Sequence, residues 1–317
     1  MTIGALASQF LQVAVALALA PLLVGWVNQC RSWLANKRAP SILLPYRTIH
    51  KLFVKDAVVA ENASPIFRIT PYIVFGAMAC AAAIVPSLAT ALPFGTAADA
   101  IALVGLFALA RVFIALAAMD IGTAFGSLGA RREMLVGFLA EPALLMVIFL
   151  ASLIATSTAL PAISEGLATR TLALYPSLAF TGVAFLLVLL AENARIPVDN
   201  PATHLELTMI HEAMLLEYSA RHLALMEWAA ALKLLNYACI GFALFLPWGT
   251  ATGAAPTPVT LLASIPILGL KLLATGAVLA LIETVSAKLR IFRAPEFLAT
   301  AFLLAVLGLL VHLLLGA

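Results

Sequence analysis

Long apolar runs separated by short polar stretches make up most of the 317-residue chain. Segments without a single Asp, Glu, Lys or Arg cover 1–30, 69–98, 142–164, 171–191, 234–270 and 297–317. With the weaker apolar segments added, the pattern predicts eight helices near 4–27, 72–92, 99–118, 134–157, 174–194, 222–247, 259–284 and 297–316. Each is close to the ~20 residues needed to cross a bilayer as a helix. Turn-rich stretches such as Leu92-Pro93-Phe94-Gly95 and Pro247-Trp248-Gly249 supply short connections. The first run lacks a basic leader and exceeds a signal-peptide core, so it reads as a retained span. The expected fold is an all-α polytopic membrane protein, one membrane domain over 1–317, with its substantial loops at 28–71 and 192–221.

Composition sharpens this. The chain is 64% hydrophobic and 10% charged, whereas soluble domains are roughly 25% charged. A soluble globular domain, a disordered chain, a collagen-like repeat and a disulfide scaffold are all excluded. The net charge of +3 is no nucleic-acid signal, because the basic residues flank the spans. Cys30, Cys80 and Cys239 lie far apart, which argues against a zinc site or iron–sulfur cluster held by this chain.

The position of the charges gives an orientation. The four odd-numbered loops hold 14 of the 18 Lys and Arg residues, whereas the even-numbered loops hold only Arg170. The odd loops are therefore expected on the cytoplasmic side, with both termini on the outer side. Residues 28–70 and 192–221 carry 16 of the 33 charges. That concentration on one face suggests a surface where partners dock.

Two groups of charged residues suggest chemistry. In 192–221, ENARIPVDNPATHLELTMIHEAMLLEYSAR, Asn200 and Pro201 predict the start of an amphipathic helix. On that helix Glu206 and Glu217 share one face, His204, Thr208 and His211 another, and Glu217 and Arg221 have i,i+4 spacing. Such a row can pass protons, or can equally be a solvated surface helix. Inside the spans stand Arg111, Glu141, Glu227, Lys233, Lys271 and Glu283. A charge there costs several kcal/mol, ~2.5–3.5 per residue on insertion scales, so such residues are rare. Opposite charges on neighbouring helices can pair, and Arg111, Asp120 and Glu133 can equally be span-end anchors. Nucleotide-binding, Cys-x-x-Cys and serine-elbow motifs are missing.

ENARIPVDNP (192–201) followed by HLELTMIHEAMLLEYS (204–219) resembles the quinone-chamber membrane subunit of respiratory complex I, the subunit-1 family. The run is more similar still to that subunit's counterpart in group 4 membrane-bound nickel–iron hydrogenases, the formate hydrogenlyase and hydrogenase-4 membrane subunits. NKRAPSILLPYRTIHKLFVKD (36–56) and RREMLVGFLAEPALLM (131–146) resemble further family segments. Ala202 and His204 stand where complex I tends to carry acidic residues, and Ala39 and Thr48 depart from the usual Gly and Asp of the first loop.

The resemblance implies a membrane-anchoring, ion-coupling subunit that links a peripheral redox arm to proton translocation in a bacterial or archaeal cytoplasmic membrane. It implies a relay through Glu141, Glu192, Asp199, Glu206 and Glu217, to which the intramembrane charges Glu227, Lys233, Lys271 and Glu283 add candidates. Arg38, Arg47 and Lys51 in the first loop, with Arg195 and Arg221, would dock partners or orient carboxylates. No cofactor is expected on this chain. The nickel–iron centre and iron–sulfur clusters would belong to the hydrogenase large and small subunits, and antiporter-like membrane subunits would be further partners. The alternatives are the quinone-site subunit of complex I and a stand-alone secondary transporter.

Overall fold

The computed structural model describes residues 3–97, 99–170, 175–199, 209–252, 258–287, 289 and 293–315. Among the described residues, seven helices are long and apolar enough to cross a membrane: α1 (Ile3–Leu34), α3 (Pro65–Ile84), α5 (Ala100–Asp120), α6 (Ala124–Ala155), α10 (Ala220–Phe245), α11 (Pro258–Val285) and α12 (Ala294–Leu315). An eighth apolar helix, α8 (Ser177–Glu192), has 16 residues and is shorter than the span expected at 174–194. Four short helices join them: α2 (Leu44–Val54), α4 (Pro93–Ala97), α7 (Leu160–Ala168) and α9 (His211–Leu215). Among the described residues there is no β-strand, only an isolated bridge between Ala89 and Ala251. The chain is a multi-pass membrane protein.

Capping explains where several spans start. Ser64 accepts the Ile66 amide at 3.1 Å, and Pro65 follows as the first residue of α3. Asp99 accepts the Ala102 amide at 3.0 Å to open α5, and Thr123 accepts the Gly126 amide at 3.3 Å to open α6. The caps lengthen two spans beyond their apolar runs. α3 begins seven residues before the expected 72, and α6 begins ten before the expected 134.

Side-chain amides tie the spans together where backbone groups lack helical partners. Gln12 of α1 donates to Ala82 O (3.1 Å) and Val85 O (2.8 Å) at the end of α3, and its Oε1 accepts the Leu88 amide at 3.3 Å. Such pairing satisfies the orphan carbonyls of a helix end inside an apolar setting. α5 packs between α3 and α6; α8 lies against α6 and α12, and α11 against α1. α10, the most buried span, meets α1, α2, α3, α7 and α8.

The amphipathic helix expected from 201 to 221 is not what forms. Asn200, Pro201, His204, Glu206 and Thr208 lie outside the described residues. Beyond them only His211–Leu215 is helical, followed by a turn and a new start at Ser219. Ala194 and Ala220, both with φ 49°, bracket the segment in the left-handed region that side chains rarely adopt. Glu217 and Arg221 are thus on opposite sides of a break between two helices rather than one turn apart on a helix.

Candidate functional site

Arg111 occupies the centre of the molecule. It is just past the middle of α5, and its side chain is 3% exposed. Its Nη1 meets Glu141 of α6, its Nη2 meets both carboxylate oxygens of Glu192 at the end of α8, and its Nε lies 3.4 Å from Glu133 of α6. Lys233 of α10 closes the cluster with Nζ 2.9 Å from Glu192. Four helices therefore converge on five ionisable groups. Glu133, Gly137 and Glu141 follow one another at i,i+4 along one stripe of α6, so the helix period itself aims both carboxylates at Arg111. The aromatic rings of Phe107, Tyr237 and Phe185 stack beside the cluster, with centroids 4.9 and 6.4 Å apart.

Two cavities meet at this point. The larger, about 330 Å³, lies between α1, α2, α10 and the segment after α8, and its charged walls are Arg195, Asp199, Glu212 and Glu227. The smaller, about 70 Å³, is lined by Arg111, Glu133, Glu192 and Lys233. Both have walls from Asn193, Ala194 and His211. Each is polar and large enough to hold water. Asp199 shapes the shared wall by accepting the backbone amides of Ile210 (3.3 Å) and His211 (3.2 Å). Arg132 Nη1 anchors the same segment through Met209 O at 3.0 Å.

A second ion group ties the loop to the spans. Arg195 Nη1 lies 3.1 Å and Arg31 Nη1 3.6 Å from the two oxygens of Glu283, whose side chain is 1% exposed. Outside the membrane, Tyr218 stacks on Phe67 at 4.0 Å and donates to Phe67 O at 3.0 Å; burial raises its phenol above the usual range.

The other expected residues are dispersed. Glu206 lies outside the described residues, and Glu217 is exposed in the turn after α9. Arg38, Arg47, Lys51 and Arg221 are exposed, none of them in the Arg111 group. Lys271 is at the opposite end of α10, where its Nζ donates to Leu246 O at 2.6 Å and to Trp248 O. Glu133 and Arg31 take places that sequence reading assigns to a span-end anchor and to a loop; Arg111, read both as an intramembrane charge and as an anchor, is at the centre of the cluster, and His211, expected on a stripe with His204, lines both cavities. The i,i+8 spacing of Glu133 and Glu141 is the available signal.

Among the described residues, a bundle of eight apolar helices around a buried ion cluster, with cavities lined by the segments after α8, defines a polytopic membrane protein. The profile of the NADH dehydrogenase family matches residues 7–314, and the chain belongs to that family. It is 33% identical over 303 residues to formate hydrogenlyase subunit 4 of Escherichia coli (strain K12), covering 94% of this chain and 95% of that protein. It is 36% identical over 241 residues to hydrogenase-4 component C of the same organism, covering 76% and 75%. In fold it is similar to a chain of the membrane-bound sulfane sulfur reductase, an archaeal respiratory membrane complex. The TM-score is 0.80 at 18% identity, with 96% of this chain and 98% of that one covered.

Proposed function

We propose that this chain is the membrane-anchoring and ion-coupling subunit of a hydrogenase complex of the formate hydrogenlyase type. The observation that carries the reading is the Arg111 cluster and its connection, through the shared His211 wall, to the cavity holding Asp199 and Glu227. With all five groups ionised, Arg111 and Lys233 against Glu133, Glu141 and Glu192 sum to one net negative charge. A single proton brings the cluster to neutrality, and an uncompensated charge inside apolar protein is costly. A buried cluster one charge from balance is a natural place to hold a proton in transit. The carboxylates share that proton as a coupled set.

The relay in this reading runs through Asp199, Glu227, Glu192 and Glu141, with Arg195 and Glu283 fixing the loop and Glu217 at its outer end. The loops carrying Arg38, Arg47, Lys51 and Arg221 face the cytoplasm, both termini face outward, and the nickel–iron and iron–sulfur centres sit on partner subunits. The Glu141 side chain is 30% exposed beside the bare apolar stripe of Phe138, Leu145 and Phe149. A carboxylate bordering lipid is unfavourable, which supports a further membrane subunit of the antiporter-like kind covering that face.

Purification of the tagged chain from native membranes in mild detergent tests the reading. Co-purifying nickel–iron and iron–sulfur subunits support it. A flavin-linked arm with quinone reductase activity favours the complex I alternative, and a partner-free transporter overturns both.

A further inference from the structure

A second charged site lies apart from the ion cluster, at the outer edge of the bundle where α3 and α10 begin. Arg68 is in the first turn of α3 and Arg221 is the second residue of α10; the two helices pack side by side. Both arginines are exposed, and among the described residues neither takes part in an ion pair or a side-chain hydrogen bond. Between them His222 is buried and meets the ring of Tyr72 edge-on at 5.9 Å. The charges acting on His222 are those of Arg221 and Arg68, with no carboxylate contributing. Asp120, at the end of neighbouring α5, is engaged by the Ser64 amide at 2.8 Å. The site is thus positive and unneutralised. The positive ends of two helices add to it.

Beside Arg68 at the start of α3, Ile66 is 44% exposed, and further along the helix Ile69 and Tyr72 are 51% and 50% exposed. Two bare guanidinium groups above a strip of bare apolar surface match a molecule with a phosphate at one end and hydrocarbon at the other. Arginine binds phosphate oxygens through paired N–H donors, and basic pockets between membrane helices hold anionic headgroups. We propose that Arg68 and Arg221, flanking the His222–Tyr72 contact, bind the phosphate of an anionic phospholipid whose acyl chains lie along the Ile69 and Tyr72 face of α3. The reading depends only on the membrane location of the chain and not on the redox role of its complex.

Free phosphate fits the site less well, because nothing encloses the anion and the apolar strip would go unused. A soluble protein fits less well, since Ile69 and Tyr72 are on a helix long and apolar enough to cross a membrane.

The test uses the whole complex carried into nanodiscs of phosphatidylcholine containing one-tenth phosphatidylglycerol, with retained lipid counted by native mass spectrometry. The parent is expected to enrich phosphatidylglycerol, and the double variant Arg68→Gln/Arg221→Gln to lose that enrichment about 30-fold, each arginine contributing roughly fivefold. Arg68→Lys/Arg221→Lys is expected to keep most of it. Equal retention in parent and Gln variant overturns the proposal, as does release of the lipid by 10 mM inorganic phosphate alone. Should the Gln variant fail to assemble, a benzophenone amino acid at Ile69 in the otherwise unchanged chain decides the matter. Cross-linking to phosphatidylglycerol supports the site, and cross-linking to another subunit removes it.

Discussion

Gly137 of α6 faces the guanidinium of Arg111 so closely that a Cβ at position 137 would stand 2.4 Å from Nη1 and 2.6 Å from Cδ. Arg111 lies across the bare backbone of α6 in the gap between Glu133 and Glu141. The glycine serves here by its size, not by any unusual backbone angle. Because three carboxylates hold the arginine, it has no equivalent position to retreat to. Gly137→Ala is therefore expected to destabilise the subunit by about 1–3 kcal/mol, the range for overpacking a filled interior. Gly76→Ala in α3, where a Cβ meets nothing within 4 Å, is the control and should be neutral or slightly stabilising. Thermal unfolding of the two variants in detergent measures the difference.

Removing Arg111 should be far worse than removing any one of its carboxylates. Arg111→Gln leaves Glu133, Glu141 and Glu192 facing one another with Lys233 as the remaining cation of the cluster. Breaking a buried ion pair by deleting one partner costs roughly 3–5 kcal/mol. The expected outcome is a subunit that fails to accumulate in the membrane. Glu192→Gln, which keeps the shape and one acceptor oxygen for the Arg111 and Lys233 donors and brings the cluster to zero net charge, should accumulate near the parent level. Quantitative immunoblots of membranes from both variants decide the order, and equal accumulation would show that the cluster is not held by its charge balance.

These contrasts mark what a reader of the sequence can and cannot reach. The spans are legible because a charge in a bilayer is costly, so every charge-free run had to be a helix. The starts of α3 and α6 lie outside the apolar runs because Ser64 and Thr123 cap those helices with polar side chains that hydropathy discards. The break at Ser219 and Ala220 left no trace, since an alanine with φ 49° looks like any other alanine. Depth alone singles out Glu141, Lys233 and Arg111, and the family resemblance adds Glu192, but for Arg111 an anchor at the end of its span is an equal reading. Its role depends on the convergence of α5, α6, α8 and α10 from 81 residues apart in the chain, information that no local pattern contains.

Glu141 offers a test of coupling without chemistry at the redox centre. Glu141→Gln keeps an acceptor for Arg111 Nη1 while removing the charge that borders the exposed stripe of α6. In the proposed complex, hydrogenase activity with a soluble dye should stay within about twofold of the parent. Proton translocation by the complex in sealed vesicles should fall tenfold or more, the scale of losing one positioned proton-transfer group. Loss of both activities together would place Glu141 in subunit assembly instead of the relay.

Lys271 separates a structural cation from a conducting one. Its Nζ donates to the carbonyls of Leu246 and Trp248, which follow the last turn of α10, and lies 5.5 Å from the centre of the Phe242 ring. Carbonyls at a helix C-terminus have no helical partners and carry partial negative charge, so an ammonium there acts as a cap. Lys271→Met keeps the stem and deletes those bonds, and about 1–2 kcal/mol of stability should go with them, the scale for hydrogen bonds to a charged group. Its effect on translocation per hydrogen turned over should be nil, because no carboxylate of the Arg111 cluster touches it. A drop in that ratio at unchanged stability would return Lys271 to the proton path; a lower unfolding temperature at an unchanged ratio identifies it as the clasp holding α11 to the end of α10.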